Sequence, residues 1–118
     1  MDHQPRTILL IEDHADSAKA MAMLLEIDGH CVDVASTFAD AQQKATEHDY
    51  DAIFCDIDLP DGSGLDLPLL VKSKSPGTRM IAMTGHGMSF ELQAMRDAGF
   101  DAQLLKPITT ELLQEYAA

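Results

Sequence analysis

This 118-residue sequence contains five short apolar runs, and charged or hydroxyl side chains follow four of them. Acidic residues follow the first and third runs, a threonine follows the fourth, and a lysine follows the fifth. These residues are Glu12, Asp13, Asp56, Asp58, Thr84 and Lys106. Carboxylates that lie together repel one another and stay ionised only if positive charge lies among them. Their hard oxygen atoms suit Mg²⁺, and a lysine ammonium suits a phosphoryl oxygen or a carboxylate.

Such a set of groups is suited to phosphoryl transfer. One carboxylate can act as a nucleophile and form an acyl phosphate, while the hydroxyl hydrogen-bonds another phosphoryl oxygen. The reaction mainly requires positioning and neutralisation of charge. Each residue alone has a simpler interpretation, because an acid after a strand commonly caps a turn or a helix. The coincidence at four of five predicted strand ends favours the functional interpretation.

This chemistry depends on elements that bring distant residues together. Five short apolar runs predict strands because they are rich in residues that favour β-structure. The runs are Thr7–Ile11, Cys31–Ala35, Ala52–Cys55, Arg79–Met83 and Ala102–Leu105. They are continuous rather than alternating, which indicates strands covered on both faces, as in a parallel sheet.

Helices are predicted between the strands and after the last one. They are expected within Ala15–Asp28, over Phe38–Glu47, from Pro68 to before Pro76, over Phe90–Ala98, and from Thr109 or Thr110 to about Tyr116. Gly29 and Gly99 can end helices in the left-handed conformation, and Thr37 can cap the second helix. Strict alternation predicts an open, doubly wound α/β sheet, in which ligands bind at the carboxyl ends of the strands.

Composition excludes several classes of protein. The net charge of −12 argues against binding to nucleic acid or to an anionic membrane. Residues 1–67 carry 15 acidic and 3 basic side chains, so the excess lies in the first part of the chain. No apolar run approaches the roughly 20 residues of a membrane helix. Two cysteines make no disulfide framework, and both are expected to be core residues in a cytoplasmic domain.

The sequence resembles the receiver (response regulator) domains of two-component signalling over essentially the full chain. The segments that carry the resemblance are ILLIEDH, LLEIDGHCVDVAS, DAIFCDIDLPDGSGLDL, MIAMTGH and AGFDAQLLKP. The resemblance implies a single domain over residues 1–118. It also implies a flavodoxin-like (βα)5 fold with a five-stranded parallel sheet of order 2-1-3-4-5.

The resemblance also implies roles for the acidic residues. Asp56 corresponds to the phospho-acceptor of the family. Asp13 is expected to bind Mg²⁺, or Mn²⁺, directly, and Glu12 to bind it through water. Asp56 itself and the backbone carbonyl of Asp58 complete the expected metal ligands.

Two further residues correspond to the family's switch. Thr84 resembles the hydroxyl that moves toward the phosphoryl group, and Lys106 resembles the lysine that contacts this group. The Lys106–Pro107 bond is expected to be cis, as proline permits. The resemblance implies a switch phosphorylated by a sensor histidine kinase or a histidine phosphotransfer domain. Phosphorylation would change the face of the fourth helix, fifth strand and fifth helix, which would signal to an unknown downstream protein. The domain would catalyse only its own phosphorylation and dephosphorylation.

The sequence departs from the family pattern at three positions. Gln103 stands where many receivers have an aromatic residue that swings inward, so readout by an aromatic rotamer is not expected here. Gln103 is interpreted as an exposed residue of an edge strand, with switching through the loops and the helix over Phe90–Ala98. Asp58 and His86 lie near the expected phosphoryl group, and we hypothesise that they set the lifetime of the acyl phosphate. Alternatively, both are ordinary exposed loop residues. The remaining histidines show no spacing typical of a metal site, and these are His3, His14, His30 and His48.

Two other functions remain open at this point. The first is a non-phosphorylated pseudo-receiver that only binds other proteins, which Gln103 favours. The second is a phosphatase of the haloacid dehalogenase type, because Asp56-Ile-Asp58 resembles the paired aspartates of that family. That pair should end the first strand, however, and here it follows the third. The sequence does not distinguish a single-domain regulator from a piece of a larger protein such as a hybrid kinase.

Overall fold

The computed structural model describes residues 4–85 and 89–118, and the elements follow one another as alternating strands and helices. The strands of the main sheet are β1 (Thr7–Ile11), β2 (Cys31–Ala35), β3 (Ala52–Asp56), β4 (Arg79–Thr84) and β5 (Ala102–Leu105). The helices are α1 (Ala15–Ile27), α2 (Phe38–Glu47), α3 (Leu67–Lys74), α4 (Ser89–Ala98) and α5 (Thr110–Ala117). Every predicted strand and helix is present, with ends within one or two residues of the prediction.

The main sheet is parallel throughout, with the order β2-β1-β3-β4-β5. The predicted doubly wound topology is therefore confirmed. The central strand β3 is buried along its whole length. The two edge strands, β2 and β5, are partly exposed. Because the strands are parallel, the carboxyl ends of all five lie at the same edge of the sheet.

The sheet divides the core into two layers. Leu9 and Ile11 of β1 pack with side chains from α2, α3 and α4, whereas Ile8 and Leu10 pack with side chains from α1 and α5. This alternation follows from the two-residue period of a strand. Both faces are apolar and covered, so polar groups of the central strands reach solvent only at the strand ends.

Local capping signals account for several helix ends. Thr37 accepts a hydrogen bond from the backbone N–H of Asp40 at 3.1 Å, and Thr109 accepts one from Leu112 at 3.2 Å. Gly29 and Gly99 have φ angles of +93° and +109°, which an L side chain adopts only with strain. These predicted caps are confirmed.

The prediction for one cysteine is wrong. Cys55 is buried as expected, but Cys31 is exposed. Cys31 is the first residue of the edge strand β2, where an apolar run does not guarantee cover. No helix within the described residues is long and apolar enough to cross a membrane.

A small hairpin follows β3. The sequence predicts its turn but not its two short strands. Asp58–Leu59 pairs antiparallel with Gly62–Ser63, and a single 3₁₀ turn over Gly64–Asp66 leads into α3. The N–H of Gly64 donates to the carbonyl of Ile57 at 2.9 Å. A Cβ atom at Gly64 would lie 2.7 Å from the carbonyl oxygen of Asp56 and 2.9 Å from Sγ of Cys55. The absent side chain is what allows this turn to pack against the end of β3.

We therefore predict that Gly64→Ala lowers the free energy of unfolding by about 1–3 kcal/mol, the usual cost of forcing extra volume into a packed site. Chemical denaturation followed by circular dichroism measures this difference. Gly77→Ala is the matched control, because a Cβ atom there meets nothing within 4 Å. Equal stability of the two variants would contradict the packing argument.

Candidate functional site

An acidic cluster lies where β1 and β3 end. Glu12 follows β1 and is 2% exposed, while Asp56 is the last residue of β3 and is 4% exposed. Asp13, next along the chain, is exposed. One carboxylate oxygen from each of these three residues and a ring nitrogen of His14 all lie within 4.8 Å of one another. The structure thus brings together acids that are more than 40 residues apart in sequence.

Lys106 joins the two buried acids. Its Nζ donates to Oδ2 of Asp56 at 2.8 Å and lies 3.1 Å from Oε2 of Glu12. The backbone N–H of Lys106 donates to the carbonyl of Thr84 at 2.7 Å, which fixes the chain beyond β5 against the end of β4. The Lys106–Pro107 peptide bond is cis, as expected. The lysine is therefore held in place by its backbone and directed at the acids by its charge.

Burial and the shared lysine act in opposite directions on the two buried carboxyl groups. Burial raises the pKa of Asp56, and the bonds from Lys106 and the Asp58 backbone offset this rise only in part. Burial also opposes ionisation of Glu12, but bonds from Lys106 and His14 outweigh it and lower the pKa of Glu12. Partial burial would lower the pKa of Lys106, yet its bonds to the two acids raise it.

Thr84 and Asp58 complete the edge of the site. Thr84 is the last residue of β4, adjacent to β3 in the sheet, and is buried. The backbone N–H of Asp58 donates to Oδ1 of Asp56 at 3.0 Å. Both oxygens of the Asp56 carboxylate therefore have a donor, one from the backbone and one from Lys106. The side chain of Asp58 is exposed.

The other predicted residues lie in different settings. Gln103 is on the edge strand β5, as expected, but it is partly buried, and its Nε2 donates to the carbonyl of Phe100 at 3.3 Å. His86 lies outside the described residues. Asp61, in the turn of the hairpin after β3, accepts hydrogen bonds from the backbone N–H groups of Phe38 and Ala39 at 2.6 and 3.0 Å. These bonds lower the pKa of Asp61, and the carboxylate caps α2.

Sequence reasoning missed His14. Its Nδ1 lies 3.1 Å from Oε1 of Glu12 and 3.2 Å from Oδ1 of Asp13. The hydrogen bond with Glu12 and the charge of Asp13 raise the pKa of His14. His14 shows no spacing typical of a metal site with the other histidines. The signal that could have found His14 is its position directly after the acidic pair.

Comparison with known proteins identifies relatives of the whole chain. A family model described as the response regulator receiver domain matches residues 8–118. The chain is 30% identical over 110 residues to the probable transcriptional regulatory protein TcrX of Mycobacterium tuberculosis, which covers 93% of this chain and 47% of TcrX. The chain thus spans about half the length of this relative.

Two solved structures share the fold. A CheY-like response regulator receiver domain protein from Methanospirillum hungatei has a TM-score of 0.89 and 26% identity, covering 96% of this chain and 90% of the other. A response regulator protein from Burkholderia pseudomallei, solved with a phosphorylated aspartic acid, calcium ion and citrate, has the same TM-score and identity. The match covers 96% of this chain and 66% of the other.

The shared lysine generates a prediction about the titration of the two buried acids. In Lys106→Met the pKa values of Asp56 and Glu12 should both rise, because the ammonium that favours their ionised forms is gone. Titration of the side-chain carboxyl carbons by NMR measures both values. Lys72→Met removes a lysine whose partner is the exposed Asp101, so it should leave them unchanged. If Lys106→Met also leaves them unchanged, the lysine does not control their ionisation.

Proposed function

The chain belongs to the response regulator receiver domain family, and we propose that Asp56 is the residue that accepts the phosphoryl group, in a Mg²⁺-dependent reaction. The observation that carries this proposal is the hydrogen bond from Nζ of Lys106 to the buried Asp56 carboxylate. Residues 1–118 would form one receiver domain, which the family match over residues 8–118 supports. We also propose a cytoplasmic location.

The donor set fits a hard divalent cation. Three carboxylates within a few ångströms face a single ammonium group, so negative charge remains that a cation can neutralise. Asp13 and Asp56 would bind Mg²⁺ directly, Glu12 would act through water, and the carbonyl of Asp58 would complete the protein ligands; Mn²⁺ is an alternative ion. When bound, the ion withdraws charge from the phosphoryl oxygens.

In the proposed reaction an oxygen of the Asp56 carboxylate attacks the phosphorus of a phosphohistidine. A new O–P bond forms as the P–N bond breaks, and the electron pair leaves with the imidazole of the donor. The Asp58 N–H and the Lys106 ammonium orient the attacking carboxylate. The ammonium also lies where it can pair with the incoming phosphoryl group, so it would neutralise charge on both sides of the transfer.

The proposed switch begins at Thr84. Its hydroxyl would hydrogen-bond the phosphoryl group and draw the end of β4 toward Asp56. Because the carbonyl of Thr84 accepts the N–H of Lys106, a shift there passes to the start of the β5–α5 connection. Position 103 has a glutamine, which bonds to the carbonyl of Phe100, and not the aromatic residue that many receivers have there. The change would therefore be transmitted through the loops and α4. It would shift a two-state equilibrium at the face of α4, β5 and α5.

Receiver domains are switches rather than enzymes that turn over a metabolite, and they interact with sensor kinases and with downstream effectors. For this chain we propose a sensor histidine kinase or a histidine phosphotransfer domain as phosphoryl donor, and a downstream protein that reads the switched face. The chain would catalyse only its own phosphorylation and dephosphorylation. No role for nucleic acid or membrane binding is proposed.

The two alternatives have less support. A haloacid dehalogenase-type phosphatase needs its aspartate pair after the first strand, but Asp56 ends the third strand along the chain, β3. A pseudo-receiver would not need the ammonium and three carboxylates that meet at the strand ends.

Phosphorylation of Asp56 can be tested by intact mass. After incubation with Mg²⁺ and acetyl phosphate, the wild type should gain one phosphoryl group and Asp56→Asn should gain none. Asp61→Asn is the matched control, because it changes a nearby aspartate that caps α2, and it should still be phosphorylated. A wild type that gains no phosphoryl group, and also fails to bind beryllofluoride, would refute the proposal.

The lifetime of the acyl phosphate should depend on Asp58 and His86. We propose that Asp58 and His86 repel or orient the attacking water, so Asp58→Asn and His86→Ala should each change the dephosphorylation rate severalfold. Loss of the phosphoryl mass with time measures this rate, and Asp61→Asn again serves as control. If both variants match the wild type, neither residue sets the lifetime.

A further inference from the structure

We infer that His14 supplies a nitrogen ligand to the divalent cation, which increases the preference of this site for transition metals such as Co²⁺, Ni²⁺ and Zn²⁺ over Mg²⁺. The inference rests on the proposed function, because it concerns the same cation site. It adds a histidine to the carboxylate and carbonyl ligands of the proposed site, and it states which class of ion this histidine favours.

The spacing of the donor atoms matches that of a coordination sphere. Neighbouring ligands of an ion with bonds of about 2.1 Å and octahedral geometry lie about 3 Å apart. Nδ1 of His14 lies 3.1 Å from an oxygen of Glu12 and 3.2 Å from an oxygen of Asp13. An oxygen of Asp56 belongs to the same group, whose atoms all lie within 4.8 Å of one another. The nitrogen of His14 and an oxygen of Asp13 are therefore as close as neighbouring ligands of a single ion, with Glu12 acting through water as proposed above.

The backbone holds His14 in this position. Its N–H donates to Oε1 of Glu12 at 3.2 Å, and its carbonyl accepts the N–H of Ala18 in the first turn of α1. His14 is the residue that precedes this helix, and its backbone is extended. The side chain is 72% exposed, so the ring can adjust to a bound ion without disturbing the core.

A nitrogen ligand changes which ions are favoured. Mg²⁺ prefers oxygen donors and binds poorly to imidazole, whereas Co²⁺, Ni²⁺ and Zn²⁺ bind imidazole well. Carboxylates alone already bind these ions more tightly than Mg²⁺, following the general order of affinities. The contribution of His14 is therefore the fall in the ratio of Co²⁺ affinity to Mg²⁺ affinity when the imidazole is removed.

The alternative explanation of the same distances is a hydrogen bond from an N–H at Nδ1 to the carboxylates. In that case the ring only supports Glu12 and does not contact the ion. Removal of the ring would then affect Mg²⁺ and Co²⁺ binding to the same extent.

The test is metal binding to the full chain, without any phosphoryl donor. Co²⁺ is titrated by its visible d–d absorption, and Mg²⁺ by calorimetry. His14→Asn should weaken Co²⁺ binding about tenfold or more while changing Mg²⁺ binding less than about twofold, because only the softer ion uses the imidazole. Asparagine is also a favourable residue before a helix, so α1 should remain intact.

Two controls identify the site. Asp13→Asn should weaken the binding of both ions, because it removes a carboxylate that either ion would use. His48→Asn removes an exposed histidine at the end of α2, at the opposite edge of the sheet, and should change neither.

Equal effects of His14→Asn on the two ions, or no effect on Co²⁺, would overturn the inference and leave the proposed function intact. If the wild type binds Co²⁺ through His14 but Asp56 is not phosphorylated, the proposed function is refuted and the inference about His14 stands. Absence of any Co²⁺ binding that depends on Asp13 would overturn the inference directly.

Discussion

The site at the strand ends depends on one ammonium group placed between two buried carboxylates. Asp56 and Glu12 lie at the ends of neighbouring strands, where apolar side chains cover both faces of the sheet and water is largely excluded. Two such charges repel and lose hydration, so they remain ionised only beside a cation. Lys106 supplies that cation from the far side of β4. The strand order is what makes this contact possible across the edge of the sheet.

The same arrangement leaves the site short of positive charge. One lysine cannot neutralise Glu12, Asp13 and Asp56 together, and burial already raises the pKa of Asp56. In the proposed function a cation and a phosphoryl group would bring opposite charges to this position, so their binding would be linked through Lys106 and the acids. The fold itself is held by the two apolar layers, and it can therefore carry a poorly neutralised site at one edge.

Most of the fold could be predicted because it depends on local sequence signals. The features that depend on long-range contacts could not be predicted. Continuous apolar runs predicted β1 to β5, and Thr37 predicted the start of α2, because each feature depends only on nearby residues. The hairpin after β3 has strands of two residues, which are too short to show a period. Asp61 caps a helix that begins 23 residues earlier, and no local pattern predicts that contact. His14 was missed because its partners are acids rather than other histidines.

Two other acidic residues have a structural role at the opposite edge of the sheet. Asp51 accepts the N–H of Thr7 at 2.8 Å, and Asp101 accepts the N–H of Met80 at 2.8 Å. Both acids directly precede a strand, and each satisfies a backbone donor at the start of the neighbouring one. Each of these carboxylates has a fixed backbone donor, and Asp101 also pairs with Lys72. At the carboxyl ends, Asp56 and Glu12 also accept backbone N–H groups, but the two carboxylates share a single lysine. Carboxylates of the same type thus order the sheet at one edge and leave a chemically responsive site at the other.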